Sequence, residues 1–200
     1  MSCSEEQLQK VLTNANNWMV HTSGLLVKSR LESQKSRTAE RAVLQLQALV
    51  DQMDAVKDNT ANRLLYLFQT EYPPQWQVQK ELGYRYAGLG VLRSAYEIFH
   101  RLELWEDAIN CLMAMDEKTK AERLVKAEIA SSEAPGSVHT PLYTAKLWCI
   151  LGDIETAPAH YEKAWAVSGQ RLARSMRSLG AYHFKRHDVA PSLSCYNHQH

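Results

Sequence analysis

Chain-breaking residues are scarce. The 200 residues include eight glycines and six prolines, against the roughly 12% that average usage would supply. So few turn residues argue against a β-sandwich or barrel and favour long helices. Charge of one sign is missing as well. Lys and Arg number 23 and Asp and Glu 22, a formal net charge of +1. The chain as a whole has no pull toward nucleic acid or an acidic substrate. No run of 18 apolar residues occurs, so no membrane span is predicted. Glu5, Glu6 and Lys10 interrupt the start, which has no apolar stretch of signal-peptide length. The four cysteines are Cys3, Cys111, Cys149 and Cys195, with no CxxC among them. They read as reduced, mostly buried thiols of a soluble protein of the cytoplasm or nucleus.

Catalytic signatures are also lacking. No GxSxG or HExxH is present. Gly88-Leu89-Gly90 follows no strand and precedes no GK[ST], so it is no phosphate loop. Cys111 sits among Ile109, Leu112 and Met113, a setting for a buried thiol rather than a nucleophile. His183 and His187 stand at i and i+4, a spacing that can grip a metal. Only Asp188 offers a third ligand nearby, and packing is the preferred role for the pair. The expectation is a chain without catalytic residues, cofactor or metal.

Helical periodicity fills the space these absences leave. Leu8, Val11, Leu12, Ala15, Trp18, Met19, Thr22, Leu25 and Leu26 form one stripe, predicting a helix from Glu5 to Glu32. Ala42, Val43, Leu46, Leu49, Val50 and Met53 form a second, and the two should pair. Asp58-Asn59-Thr60 reads as a loop, and Leu64, Leu65, Leu67 and Phe68 as a short helix ended by Pro73-Pro74. From Gln75 the helices shorten. Gly88 and Gly90 mark one turn, Asp116 an N-cap, and Gly152-Asp153 and His187-Asp188 further turns. Ser131 to Thr140, with Pro135 and Gly136, is the most loop-like stretch, and Thr140-Pro141 reopens a helix. No strand is predicted.

The short helices repeat. Gly83, Tyr86, Gly90, Ala95 and Phe99 share a frame with Ala145, Trp148, Gly152, Ala157 and Tyr161. Gly180, His183, His187, Ser192 and Tyr196 form a third copy, and Ile109, Leu112, Asp116, Ala121 and Val125 a weaker fourth. In such a unit a small residue in each helix lets the pair approach, and aromatics fill the gap to the next pair. Stacking then completes a core that one pair cannot bury alone. The frame resembles the tetratricopeptide repeat. The expected architecture is all-α: an N-terminal helical segment over 1–72, then four helix pairs at 75–102, 105–130, 141–168 and 170–200.

Longer strings narrow the resemblance. They include His21-Thr22-Ser23-Gly24-Leu25-Leu26, Arg37-Thr38-Ala39-Glu40-Arg41-Ala42 and Gln75-Trp76-Gln77-Val78-Gln79-Lys80-Glu81-Leu82-Gly83. Leu104-Trp105-Glu106-Asp107-Ala108 and Tyr161-Glu162-Lys163-Ala164-Trp165 follow. The chain is similar to the tetratricopeptide repeat protein 27 family over nearly its whole length. Members of that family are longer and continue with further repeats, so the chain is read as an internal or truncated piece. The resemblance implies a non-catalytic scaffold that binds partner proteins or peptides through a concave groove, in chaperone-linked assembly of larger complexes.

In such repeats the first helix of each pair lines the groove. The groove positions lie six and three before the small residue and one, four and five after it. They give Lys80 and Tyr84 beside Gly83, Asn110 beside Ile109, Lys146 beside Ala145, and Arg174, Arg177 and Lys185 around Gly180. The basic last set suggests an acidic or carboxylate-bearing partner segment. Related clamps for chaperone tails combine a lysine three before the small residue with an asparagine one after it. Lys80 is followed by Tyr84, and Asn110 is preceded by Glu106, so no repeat holds both. The alternative reading is a helical-repeat RNA binder that stacks bases on Trp148, Tyr161 and Trp165. The first two fall at helix-packing positions, and the near-zero net charge disfavours nucleic acid.

Overall fold

The computed structural model describes residues 3–55, 66, 69–134 and 139–197. Among them are eleven α-helices and no strand. They are α1 (Cys3–Thr13), α2 (Trp18–Glu32), α3 (Ala39–Ala55), α4 (Gln75–Gly88), α5 (Leu92–Arg101) and α6 (Trp105–Ala114). The rest are α7 (Lys118–Glu133), α8 (Pro141–Glu155), α9 (Pro158–Val167), α10 (Ala173–Lys185) and α11 (Val189–Asn197). The chain divides into two compact units, Met1–Cys111 and Leu112–His200. The predicted loop at Asp58-Asn59-Thr60, the short helix of Leu64, Leu65, Leu67 and Phe68, and Pro135-Gly136 lie outside the described residues.

In the first unit the helix expected from Glu5 to Glu32 is two helices. The run Asn14-Ala15-Asn16-Asn17 breaks it. Asn17 takes an extended backbone, and its side chain accepts the Met19 N–H at 2.8 Å. An asparagine that can bond the backbone locally favours such a cap over a helix interior. Helices α2 and α3 then pack together, with the buried Ser29 hydroxyl donating to the Ala42 carbonyl at 2.8 Å. Leu26, Val43, Leu46, Leu49 and Val50 of this pair share one core with Val78 and Leu82 of α4. Arg30 of α2 also reaches Glu81 of α4 through a fork of 2.8 and 3.0 Å bonds.

From α4 onward each pair turns through a residue of positive φ. The first helix ends on a residue in the left-handed region: Gly90, Asp116, Thr156 and His187, with φ of 81°, 59°, 52° and 65°. Three of these turns are closed by a backbone bond reaching back five residues, a Schellman closure. These bonds are Val91 N–H to Tyr86 O, Glu117 N–H to Leu112 O and Asp188 N–H to His183 O, at 2.9–3.0 Å. Asp116 is therefore this left-handed turn residue, and Glu117, not Asp116, stands at the N-cap of α7. Helix α7 runs on to Glu133, so Ser131 and Ser132 are helical. Thr140 caps α8 as expected, its hydroxyl accepting the Tyr143 N–H at 3.3 Å ahead of Pro141.

The left-handed residue sets the true register of each pair. Five residues after it come Ala95, Ala121, Tyr161 and Ser192, all buried. The third member corrects the sequence frame. Gly152 and Asp153 lie inside α8, and the turn falls at Thr156. Ala157, expected at the helix crossing, is instead the half-buried N-cap of α9. The whole pair is shifted by four residues, about one helical turn. Cys149, 0% exposed, takes the small-residue place expected of Ala145.

The shift explains a reversal of sizes. In the first pair a large Tyr86 accompanies a small crossing residue, Ala95. In the third the corresponding residues are Gly152 and Tyr161. A Cβ placed on Gly152 would lie 2.6 Å from Tyr161 Cε1, closer than real Cβ atoms approach a neighbour. Glycine here supplies room for a ring. Gly83 does the same for Phe99, and Gly180 for Tyr196. Tyr161 then packs with Met176, Leu179 and Cys195, joining α9 to the last pair.

Candidate functional site

The candidate groove residues fall in both units. In the first unit Lys80 and Tyr84 follow one another on α4. The Lys80 ammonium lies 5.8 Å from the Tyr84 ring centroid. The ring packs against Phe99 at 5.1 Å, and its hydroxyl donates to Asp107 Oδ2 at 2.8 Å. Burial raises the Tyr84 phenol to about 12, with the bond and charge of Asp107 and the charge of Glu106 acting in the same direction. Tyr84 is thus a fixed neutral platform, exposed on its outer side. Asn110 is exposed on α6. Cys111 next to it is buried, and its thiol is pushed up by burial and then by Asp107, the reverse of an activated nucleophile.

In the second unit the candidates are Lys146 on α8 and Arg174, Arg177 and Lys185 on α10. At 3.6 residues per turn, Arg174, Arg177, Ala181, Phe184 and Lys185 fall within an arc of about 100°. All but Ala181 are exposed, Phe184 to 67%. This places three cations and one aromatic ring on a single helix face. Lys146 is half-buried on the neighbouring first helix.

The register shift adds three residues to the candidate positions, Tyr143, Asp153 and Ile154, of which Asp153 carries a charge. Counting from Cys149, the groove positions of α8 are Tyr143, Lys146, Ile150, Asp153 and Ile154. Counting from Ala145 gives His139, Leu142, Lys146, Cys149 and Ile150. Lys146 is common to both frames, and Asp153 appears only in the corrected one. The Asp153 carboxylate holds two partners. Oδ2 accepts from Arg174 Nη2 at 3.1 Å, and Oδ1 accepts from the Tyr161 hydroxyl at 2.9 Å. Burial, then the bond and charge of Asp153, raise the Tyr161 phenol. Burial also lifts the Cys149 thiol to about 11, although the nearby Arg174 pulls it down. Asp153 was missed in the sequence because Gly-Asp reads as a turn. The count from the Thr140-Pro141 start offered a signal, since a helix of ordinary length beginning there passes through Asp153.

The remaining candidates lie at the turn of the last pair and on α8. His187 occupies the left-handed turn. His183 Nδ1 stands 4.0 Å from Asp188 Oδ2 and packs beside Tyr182. No group of three metal-ligating side chains occurs among the described residues. Two side chains of α9 pack on the Trp148 ring: His160 stacks at 5.4 Å, and Lys163 Nζ sits 3.7 Å from the ring centroid. Its Nε1–H donates to Glu133 at 3.1 Å. No helix among the described residues is long and apolar enough to cross a membrane.

No protein-family model matches the sequence. Several curated proteins do. The tetratricopeptide repeat protein 27 homolog of Dictyostelium discoideum is 41% identical over 179 residues, covering 90% of this chain and 20% of its own length. A TPR repeat-containing protein of Schizosaccharomyces pombe is 34% identical, covering 94% of this chain and 26% of its own. The chain therefore spans about a fifth to a quarter of the length of the curated relatives it matches. Among solved structures, the MamA RS-1 ArsTM double mutant matches with a TM-score of 0.52 at 13% identity, over 90% of this chain and 94% of that one. A putative kinesin light chain of Podosopora anserina, with nearly identical TPR-like repeats, matches at 0.51 and 16%, over 90% and 94%. These structures share the fold. The level and extent of the sequence matches, carried on helix pairs with a common turn, place the chain in the tetratricopeptide repeat protein 27-like family of helical-repeat proteins.

Proposed function

We propose that the chain is a non-catalytic part of a protein-binding scaffold, and that it takes partner segments on the exposed faces of its first helices. In the first unit the contact residues are Lys80, Tyr84 and Asn110. In the second they are Lys146, Arg174, Arg177 and Lys185, and the partner segment they suit is acidic. The observation that carries this reading is the α10 face, where exposed Arg177 and Lys185 flank the 67%-exposed Phe184. An aromatic ring among cations fits a peptide that offers both carboxylates and apolar side chains. The chaperone-linked assembly role implied by the family would use the same faces in the longer protein, within the cytoplasm or nucleus.

The test is titration of the purified chain with an end-blocked peptide of alternating Glu and Leu, and with its Gln-for-Glu counterpart. The acidic peptide is expected to bind in the micromolar range, with the counterpart at least tenfold weaker. Arg177→Glu combined with Lys185→Glu should abolish the difference. Equal binding of both peptides to this variant and to the parent chain would refute the assignment.

A further inference from the structure

The cation set on α10 is partly occupied from within the fold, and the occupant is a carboxylate. Asp153 lies at a groove position of α8, Arg174 at a groove position of α10, and the two meet at 3.1 Å. Asp153 is also anchored from behind. Its other oxygen accepts from the hydroxyl of Tyr161, a residue 5% exposed and packed among Met176, Leu179 and Cys195. That ring can sit there because Gly152 has no side chain. The glycine admits the ring, the phenol fixes the carboxylate, and the carboxylate holds the guanidinium. Arg174 remains 45% exposed at its side chain, and Asp153 40%, so an incoming group can reach both.

We propose that Asp153 acts as a built-in competitor for acidic ligands, setting how strongly the second unit's groove binds a carboxylate. This rests on the groove reading above. In the free protein Arg174 is neutralised by Asp153, and recognition of a first carboxylate falls to Arg177 and Lys185. A ligand carboxylate that reaches Arg174 must displace Asp153 or share the guanidinium with it. In either case it meets the repulsion of a fixed negative charge. Asp153 is thus a specificity residue that need not touch the ligand. It favours partners whose acidic groups are spaced to meet Arg177 and Lys185, and it disfavours dense acidic runs that would also press on Arg174.

Asp153→Asn keeps an acceptor for the Tyr161 hydroxyl and removes the charge. With the acidic peptide it should bind about three- to tenfold more tightly than the parent chain, the scale of one partly exposed charge interaction. The Gln counterpart should be unaffected, which separates this role from a general loosening of the fold. Adding Arg174→Ala to Asp153→Asn should give the gain back. The gain should also shrink as salt rises from about 0.05 to 0.3 M, where exposed charges are screened. A variant equal to the parent toward the acidic peptide, when the parent itself discriminates between the peptides, overturns the competitor role and leaves the groove reading standing. Equal shifts for both peptides overturn it too. If neither parent nor variant prefers the acidic peptide, the groove reading fails and the competitor role goes with it.

Discussion

Replacing Gly152 by alanine should destabilise the protein, although alanine is the better helix former. Gly152 is interior to α8, where the substitution alone would contribute about 0.5–1 kcal/mol of stability. Against that stands the contact at 2.6 Å with Tyr161 Cε1, followed by Cδ1 at 2.9 Å and Cζ at 3.0 Å. The ring cannot easily move aside. It is buried against Met176, Leu179 and Cys195, and its hydroxyl is tied to Asp153 at 2.9 Å. Forcing a methyl group into such a site costs about 1–3 kcal/mol. At the midpoints of the two ranges the net effect is a loss of about 1.3 kcal/mol, or about 3–5 °C in Tm for a chain of this size. Gly88 supplies the opposite case. It is the last residue of α4, and a Cβ there meets nothing within 4 Å. Gly88→Ala should therefore raise stability by about 0.4–1 kcal/mol. Urea and thermal unfolding followed by circular dichroism would measure both. Gly152→Ala as stable as the parent would refute the seating of Tyr161 against α8, and with it the four-residue register shift.

The remaining predictions concern charge and thiols. Glu155 bonds Lys126 at 2.8 Å and His160 at 2.7 Å, and these bonds hold its carboxyl below the ordinary range. The pair's contribution to stability is present above the ordinary carboxylate pKa and is lost as pH falls through the depressed one. Glu155→Gln should flatten the acid limb of a pH–stability curve, and an unchanged limb would contradict the assignment. Cys149, with its thiol raised to about 11, favours the folded state below the unfolded thiol pKa and ceases to do so as pH rises toward 11. At pH 8 a thiol reagent should leave Cys111, Cys149 and Cys195 unmodified until denaturant is added, since all three are buried. Fast labelling of Cys149 in the native protein, mapped by peptide mass, would count against its packing position. Trp148, covered by His160 and Lys163, should not stack on bases. Persistent retardation of RNA at about 0.15 M salt, lost in Trp148→Ala, would contradict that.

What the residue pattern could and could not reveal follows the physics of each element. The helices opened by Pro74 and by Thr140-Pro141 were legible, because proline and a hydroxyl cap act locally. The break at Asn14–Asn17 was not, because apolar residues keep helical spacing on both sides of it. The turns were legible only in part. Gly90 announces a left-handed residue, since glycine has no Cβ to clash. His187 and Asp116 belong to the few non-glycine types that adopt this backbone readily, and His187-Asp188 reads as a turn; Thr156 is β-branched, so nothing in its identity marks the turn. The candidate cations on α10 could be named because Gly180 lies where the frame needs it. Asp153 could not, because it reaches a candidate groove position only through the shift in the third pair.

That shift shows the limit of reading a repeat one position at a time. The first pair places Tyr86 and Ala95 where the third places Gly152 and Tyr161. Compared singly, these are two mismatches, and sliding the frame by four residues removes them on paper by bringing Ala157 to the crossing. Packing responds to the pair. Gly152 leaves room for the Tyr161 ring as Gly83 does for Phe99, so a ring on the second helix needs a glycine on the first, at whichever turn the two meet. The exchange has a further effect that the alternative would lack. A tyrosine on the second helix of this pair points its hydroxyl at the outer end of the first, where it meets Asp153. The same substitution that hides the register from the sequence therefore places a fixed carboxylate beside Arg174. A buried tyrosine can in this way fix, from the core side, the position of a charge on the exposed face of a helical repeat.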